Sequence, residues 1–301
     1  MTIRRKRMLL TLVTLLLVAV AGVFALRKAL GLPNFVSLYS VIVSERDVSV
    51  QAGVSFGPAA RHLLDVYRPK SGDAGGPIAL FIYGGNWRTG DRATYGFVGA
   101  ALASQGITTV LPDYRLFPEA PFPGFVEDAA RAYAWVEANI ATASGARRPI
   151  IVIGHSAGAY NAAMIAFNER YLAAAGAKGR PAGLIGLAGP YSFYPTKYAP
   201  TMDIFATATS EDEPRPVTFV RPGAPRSLLM YGLKDETVKI ENLRDLTAAL
   251  QAAGTPVRAL EFESIGHVGL VVAVSRPFRW RAPVLKKMVE FVRASKGDGA
   301  N

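Results

Sequence analysis

The pattern in this chain best suited to covalent chemistry is Gly154-His155-Ser156-Ala157-Gly158, a serine with glycine two residues away on each side. A serine hydroxyl attacks a carbonyl near neutral pH only when a base within hydrogen-bond reach takes its proton. The chain has three histidines to offer and no cysteine, so a thiolate nucleophile, a disulfide framework and a thiolate metal site are all excluded. His62 falls in an early strand pattern, where a structural role is expected. His155 adjoins the serine, and neighbours in a tight turn point apart. The expected base is therefore His267, in Ile265-Gly266-His267-Val268-Gly269, placed in the loop after the apolar stretch 257–262. An acid must hold its other ring nitrogen. Asp235, which follows Leu228-Leu229-Met230-Tyr231-Gly232-Leu233-Lys234, is the expected acid, with Glu236 and Glu263 as alternatives. Negative charge developing on a substrate oxygen needs N–H donors. Ala157 is expected to supply one. The others are expected from Gly85 and Asn86, in Tyr83-Gly84-Gly85-Asn86-Trp87, where bare backbone can approach the substrate closely.

These residues are far apart in the chain, so a scaffold must bring them to one edge. Ile150-Ile151-Val152-Ile153 reads as a buried parallel strand running straight into the pentapeptide, and Tyr160 to Ala166 reads as the helix that follows. Such a strand–turn–helix strains the serine backbone, and Gly154 and Gly158 remove the side chains that would collide there. Val48–Val50 and 62–67 are expected as an antiparallel edge, and Ile78–Tyr83 as a buried strand. Beyond them, strands at 107–111, 150–153, 183–187, 227–231 and 257–262 alternate with helices near 93–105, 124–142, 157–173, 239–253 and 280–294. The fold class is α/β, with a mostly parallel central sheet flanked by helices. Residues 190–222 break the rhythm with six prolines and with Tyr191, Phe193, Tyr194, Tyr198 and Phe205. This stretch reads as a lid-like insertion, the alternative being a surface excursion that packs its aromatics on the body.

The order Ser156, Asp235, His267 is the chain order of α/β-hydrolase triads. The motifs Tyr83-Gly84-Gly85-Asn86-Trp87 with Gly90-Asp91, Asp113 through Glu119, and Phe122-Pro123 with Glu127-Asp128 join the elbow, Tyr231 to Asp235 and Gly266-His267. Together they resemble α/β-hydrolase esterases of the hormone-sensitive-lipase-like and feruloyl-esterase/kynurenine-formamidase-like branches, over about residues 60–295. The resemblance implies a carboxylesterase, and no motif in the sequence implies a cofactor. The chain departs from it at Tyr83, where the family's oxyanion loop normally begins with histidine. Tyr83, Trp87, Tyr191 and Phe193 are the candidate substrate contacts. Asp113, Arg115, Glu119 and Asp128 are expected to form structural pairs that brace loops. No His/Asp/Glu cluster has metal-ligand spacing, and Gly84-Gly85 lacks a phosphate-binding pattern.

The formal charge of +11 first suggests nucleic acid, but residues 1–28 carry six Lys/Arg and no acid, which leaves +5 (28 minus 23) for the rest. No basic cluster with interleaved aromatics follows, so nucleic-acid binding is set aside. Arg4-Arg5-Lys6-Arg7 precedes Met8–Leu26, nineteen residues without a charge, about enough for one bilayer crossing. Residues 1–28 are expected to be a signal-anchor that places the remainder outside the cytoplasm. A cleaved signal peptide, with Ala19-Val20-Ala21 as the cleavage site, is the alternative. Residues 29–59 read as connector and first strand, 60–296 as the catalytic domain and 297–301 as a tail. The expected function is hydrolysis of a small carboxylic ester through an acyl-enzyme. The alternatives are an amidase, formamidase or peptidase with the same triad, and a non-catalytic binding protein on this fold.

Overall fold

The apolar runs become the middle of one eight-stranded sheet. The computed structural model of the protein describes residues 45, 47–72, 75–142 and 147–294. Its strands are β1 Val48–Ser55, β2 Leu63–Pro69, β3 Ile78–Ile82, β4 Thr109–Pro112, β5 Ile150–His155, β6 Gly183–Leu187, β7 Ser227–Gly232 and β8 Val257–Phe262. They lie in the order β1-β2-β4-β3-β5-β6-β7-β8, with β1–β2 and β2–β4 antiparallel and every other pair parallel. Every residue of β3, β5, β6 and β7 is buried, so both faces are covered, and these strands are unbroken apolar runs for that reason.

The helices are α1 Gly96–Ala103, α2 Gly124–Val136, α3 Ala157–Phe167, α4 Glu169–Ala174, α5 Glu241–Ala252, α6 His267–Val272 and α7 Val284–Ala294. Several boundaries differ from the periodicity. The helix expected over 157–173 breaks at Asn168, which is extended and whose side chain accepts from the amide of Arg170, starting α4 afresh. The one expected from 280 begins at Val284, because Ala282 precedes Pro283 and takes the extended conformation that proline imposes on its neighbour. His267 is the first residue of α6, not part of a loop.

The register explains where a site can form. β3 lies between β4 and β5, and the chain adds strands on one side of it and then on the other. Ile82 at the end of β3 is therefore beside Gly154 at the end of β5, and carboxyl ends diverging at such a switch point leave a crevice. Farther along the same edge, Leu187 pairs with Met230 and Gly232 with Phe262.

The expected loop braces are largely present. Asp128 is almost fully buried, bonding His62 Nε2 at 2.9 Å and accepting from Arg115 Nη2 at 2.7 Å. Arg92 bridges Asp113 and Asp65. Glu119 is the exception, being exposed and without an ion pair among the described residues. No helix among the described residues is long and apolar enough to cross a membrane. The expected span at 8–26, the connector through residue 44 and the tail 297–301 all lie outside the described residues.

Candidate active site

Ser156 leaves β5 with φ 55° and ψ −124°, a conformation that non-glycine residues rarely adopt. The glycines around it are required by backbone rather than by flexible side chains. A Cβ on Gly154 would lie 2.3 Å from the Gly158 carbonyl oxygen, and one on Gly158 would lie 2.1 Å from that of Ile82. The turn presents Ser156 Oγ 2.8 Å from His267 Nε2, and His267 Nδ1 lies 2.7 Å from Asp235 Oδ2. A carboxylate only accepts, so Nδ1 carries the proton and Nε2 offers its lone pair to the hydroxyl. Asp235 Oδ1 accepts the amides of Thr237 at 2.8 Å and Val238 at 2.9 Å, which fixes the acid in turn. Burial works against ionising Asp235, but the hydrogen bonds from His267 and these two amides outweigh it and hold its pKa below the ordinary value. The two alternative acids, Glu236 and Glu263, are exposed and make no bond to His267.

The loop after β3 lies against this serine. A Cβ on Gly84 would be 2.8 Å from both Ser156 Cβ and the His155 carbonyl oxygen. Gly85, Asn86 and Trp87 then run in succession at φ 137°, 53° and 56°. Among the described residues, the N–H groups of Gly85 and Asn86 donate to no backbone carbonyl. Ala157 opens α3, where a first-turn N–H has no partner within the helix. Asn86 and Ala157 both line the cavity beside Ser156.

Two buried devices fix the loop. Trp87 Nε1 donates to Asn161 Oδ1 at 3.0 Å, and its ring meets Tyr160 and Phe205 edge-on. Tyr83 is fully buried with its ring stacked against Tyr95 and Tyr114. Its hydroxyl accepts from Arg61 Nη2 at 2.8 Å, and the same nitrogen donates to the Gly90 carbonyl at 2.7 Å. Sequence reasoning missed Arg61, which carries no local signature. It also missed Asn161, although a lone amide within the apolar run of α3 was a signal to be read.

The cavity beside Ser156 has a volume of about 570 Å³. The 190–222 segment builds one wall from Phe193, Tyr194 and Tyr198, while Glu236 and Lys239 come from the loop after β7. Of the four candidate substrate contacts, Trp87 and Phe193 line this cavity. Tyr83 and Tyr191 are buried away from it: Tyr83 at the foot of the loop after β3, and Tyr191 against Gly186 and Gly189, where a Cβ on either would strike its ring. Within the insertion, Phe205 and Tyr191 pack on the body while Tyr194 and Tyr198 remain exposed at the cavity. A second groove of about 560 Å³ lies along α7 and contains no nucleophile–base pair. Among the described residues, no group of three or more His, Asp or Glu is placed to hold a metal ion.

The BD-FAE family profile matches residues 64–179, and the profile of the prolyl oligopeptidase family matches residues 126–294. Esterase LipC of Mycobacterium tuberculosis is 28% identical over 235 residues, covering 71% of this chain and 58% of that protein. The isoprenylcysteine alpha-carbonyl methylesterase ICME of Arabidopsis thaliana is 25% identical over 292 residues, covering 89% of this chain and 67% of that protein. The chain therefore spans a little over half to two thirds of these relatives' lengths. Among solved structures, esterase B of Lactobacillus rhamnosis superimposes with a TM-score of 0.72 at 18% identity, covering 93% of this chain and 96% of that one, which shows a shared α/β-hydrolase fold. With the prolyl oligopeptidase profile covering more than half of its residues, the chain belongs to that family.

Proposed function

We propose that the protein is a serine hydrolase that cleaves small carboxylic esters through an acyl-enzyme. The observation that carries this reading is the unbroken relay Ser156 Oγ–His267 Nε2 and His267 Nδ1–Asp235, at 2.8 and 2.7 Å. The esterase relatives support ester rather than another bond as substrate. In the proposed cycle, His267 takes the Ser156 proton as Oγ attacks the ester carbonyl. The oxyanion is held by the N–H groups of Ala157, Gly85 and Asn86, and Asp235 stabilises the imidazolium. His267 then gives the proton to the leaving alcohol, and a water activated by the same imidazole releases the acid.

Labelling with a fluorophosphonate tests this reading. Modification of Ser156 and its loss in Ser156→Ala is the expected result. An unlabelled wild-type protein would instead support a binding role on this fold. The prolyl oligopeptidase match favours amide cleavage as the second reading. A panel of p-nitrophenyl esters from acetate to palmitate, run beside formamide and peptide substrates, separates the two. For location, the proposal is a membrane anchor or export signal in residues 1–28, supported by Arg4–Arg7 preceding the uncharged Met8–Leu26. Recovery of the full chain in the cytosolic fraction would reject it.

A further inference from the structure

Ser156 and His267 are 111 residues apart and stand on different elements, yet their reacting atoms are 2.8 Å apart. Something must hold α6 against the elbow to that tolerance, because a displacement well under an ångström degrades both the hydrogen bond and proton transfer. Apart from the Ser156–His267 bond itself, one hydrogen bond joins the elbow to residues 265–272 among the described residues. It runs from His155 Nε2 to the main-chain oxygen of His267, at 3.1 Å. We propose that His155 is a positioning residue, a strut whose Nε2–H holds the His267 carbonyl and thereby sets the base at working distance from the serine that follows His155 in the chain. The proposal rests on the Ser156–His267–Asp235 reading above.

Its chemistry accounts for an imidazole at this position. A carbonyl oxygen only accepts, so Nε2 must carry the proton and Nδ1 must be bare. That Nδ1 is buried and has no hydrogen-bond partner among the described residues. It faces the oxyanion loop, since a Cβ on Gly84 would lie 3.2 Å from it. A buried acceptor without a donor is destabilising, and an aliphatic side chain would avoid it. Packing therefore does not explain a histidine here, whereas the Nε2 bond does. The strut must also stay uncharged, for its ring centroid lies 4.9 Å from that of His267, which becomes cationic during turnover. Burial first, and then the charge of His267, push the His155 pKa down to about 3, so it remains neutral whenever the base accepts a proton.

The test pairs His155→Gln, whose amide NH₂ can reach where Nε2 does, with His155→Phe, which fills the space but donates nothing. Two readouts are taken on the full chain: kcat and KM for p-nitrophenyl acetate, and the far-downfield proton resonance of the His267–Asp235 hydrogen bond. His155→Phe is expected to lower kcat at least tenfold with KM within about twofold, and to shift or broaden that resonance. His155→Gln is expected to recover most of the rate and the wild-type resonance. Wild-type kcat in His155→Phe, or equal losses in both variants with the resonance unmoved, would overturn the strut and leave a packing residue. If circular dichroism shows that His155→Phe does not fold, His155→Met replaces it with the same expectations. The resonance is read without substrate, so the position of His267 is tested even if Ser156→Ala proves the hydrolysis reading wrong.

Discussion

Removing one oxygen from Tyr83 tests how the proposed oxyanion loop is held. In Tyr83→Phe the ring remains, so its stacking at 4.7 Å on Tyr114 and 5.6 Å on Tyr95 survives. The loss is the acceptor for Arg61 Nη2. A hydrogen bond to a charged donor contributes about 1.5–3 kcal/mol. The Arg61 side chain is 29% exposed, so water replaces part of that, while Nη2 keeps the carbonyl of Gly90 and Nε, at 2.8 Å, that of Tyr114. A net cost of about 1–2 kcal/mol follows, a fall in Tm of roughly 2–4 °C. The rate should suffer more than the stability. Arg61 ties Tyr83, at the start of the loop, to Gly90 at its end, and slackening that tie lets the donors at Gly85 and Asn86 drift. One oxyanion donor contributes about 10²–10³-fold, so partial misplacement should lower kcat about tenfold. Because Tyr83 does not line the cavity, KM should stay within about twofold. Thermal melts and steady-state kinetics with p-nitrophenyl acetate read both quantities. A raised KM with kcat intact would refute the brace, for the phenol would then touch substrate; unchanged Tm and kcat would show that Arg61 does not need it.

Ser156→Ala and His267→Ala should each lower kcat by several orders of magnitude, and the double variant should be little worse, since triad members act as a unit; additive losses would break the relay reading. Gly158→Ala sets a Cβ 2.1 Å from the Ile82 carbonyl oxygen in the centre of the sheet, so it should cost about 3 kcal/mol or more and lose activity with stability, whereas a folded, active Gly158→Ala would disprove the tight elbow. Acid stability follows from His155, whose pKa falls from the ordinary 6.5 to about 3 on folding. The unfolded chain binds the extra proton between those values, so this contribution is complete above pH 6.5 and fades as pH drops toward 3, with a slope of up to about 1.4 kcal/mol per pH unit. Chemical denaturation from pH 7 to 4.5 measures it, and the slope should flatten in His155→Phe. Asp235, whose pKa is lowered, adds its own loss only below the carboxylate range.

The parts of this molecule legible in its sequence are those set by short-range pattern. β3, β5, β6 and β7 are buried on both faces and had to be continuous apolar runs, so their places were evident within a residue or two. The elbow was legible because its geometry leaves no room for a Cβ at either glycine. Asp235 and His267 could be found because each follows a strand whose carboxyl end lies on the serine's edge of the sheet. Helix ends were less visible. Asn168 restarts a helix through a side-chain cap that competes with an otherwise unbroken helical pattern. The substrate contacts split for a similar reason. Trp87 and Phe193 reach the cavity while Tyr83 and Tyr191 turn into the core, a choice made by backbone direction in coil segments and not by residue type.

What sequence pattern could not convey is how the three loops of the site are fastened to one another. Each bond that does so joins residues far apart in the chain: Arg61 to Tyr83 and Gly90, Trp87 to Asn161, and His155 to the carbonyl of His267. The Trp87–Asn161 bond is a single polar contact in buried surroundings, where a hydrogen bond is strong and its loss leaves a buried group unpaired, whereas Arg61 makes several bonds from a half-buried side chain. The strain of the site sits on the same segments, with positive φ at Asn86, Trp87 and Ser156. Backbone in such conformations persists only where its surroundings over-determine it. The cross-links and the strain are therefore two aspects of one arrangement. Arg61 and Asn161 hold the loop after β3 in a conformation that it would not keep alone, and in the proposed strut His155 holds His267 opposite a serine whose own turn is forced. Loosening any one of them should cost rate before it costs the fold, because the central strands β3, β5, β6 and β7 beneath are buried at every residue and do not depend on them.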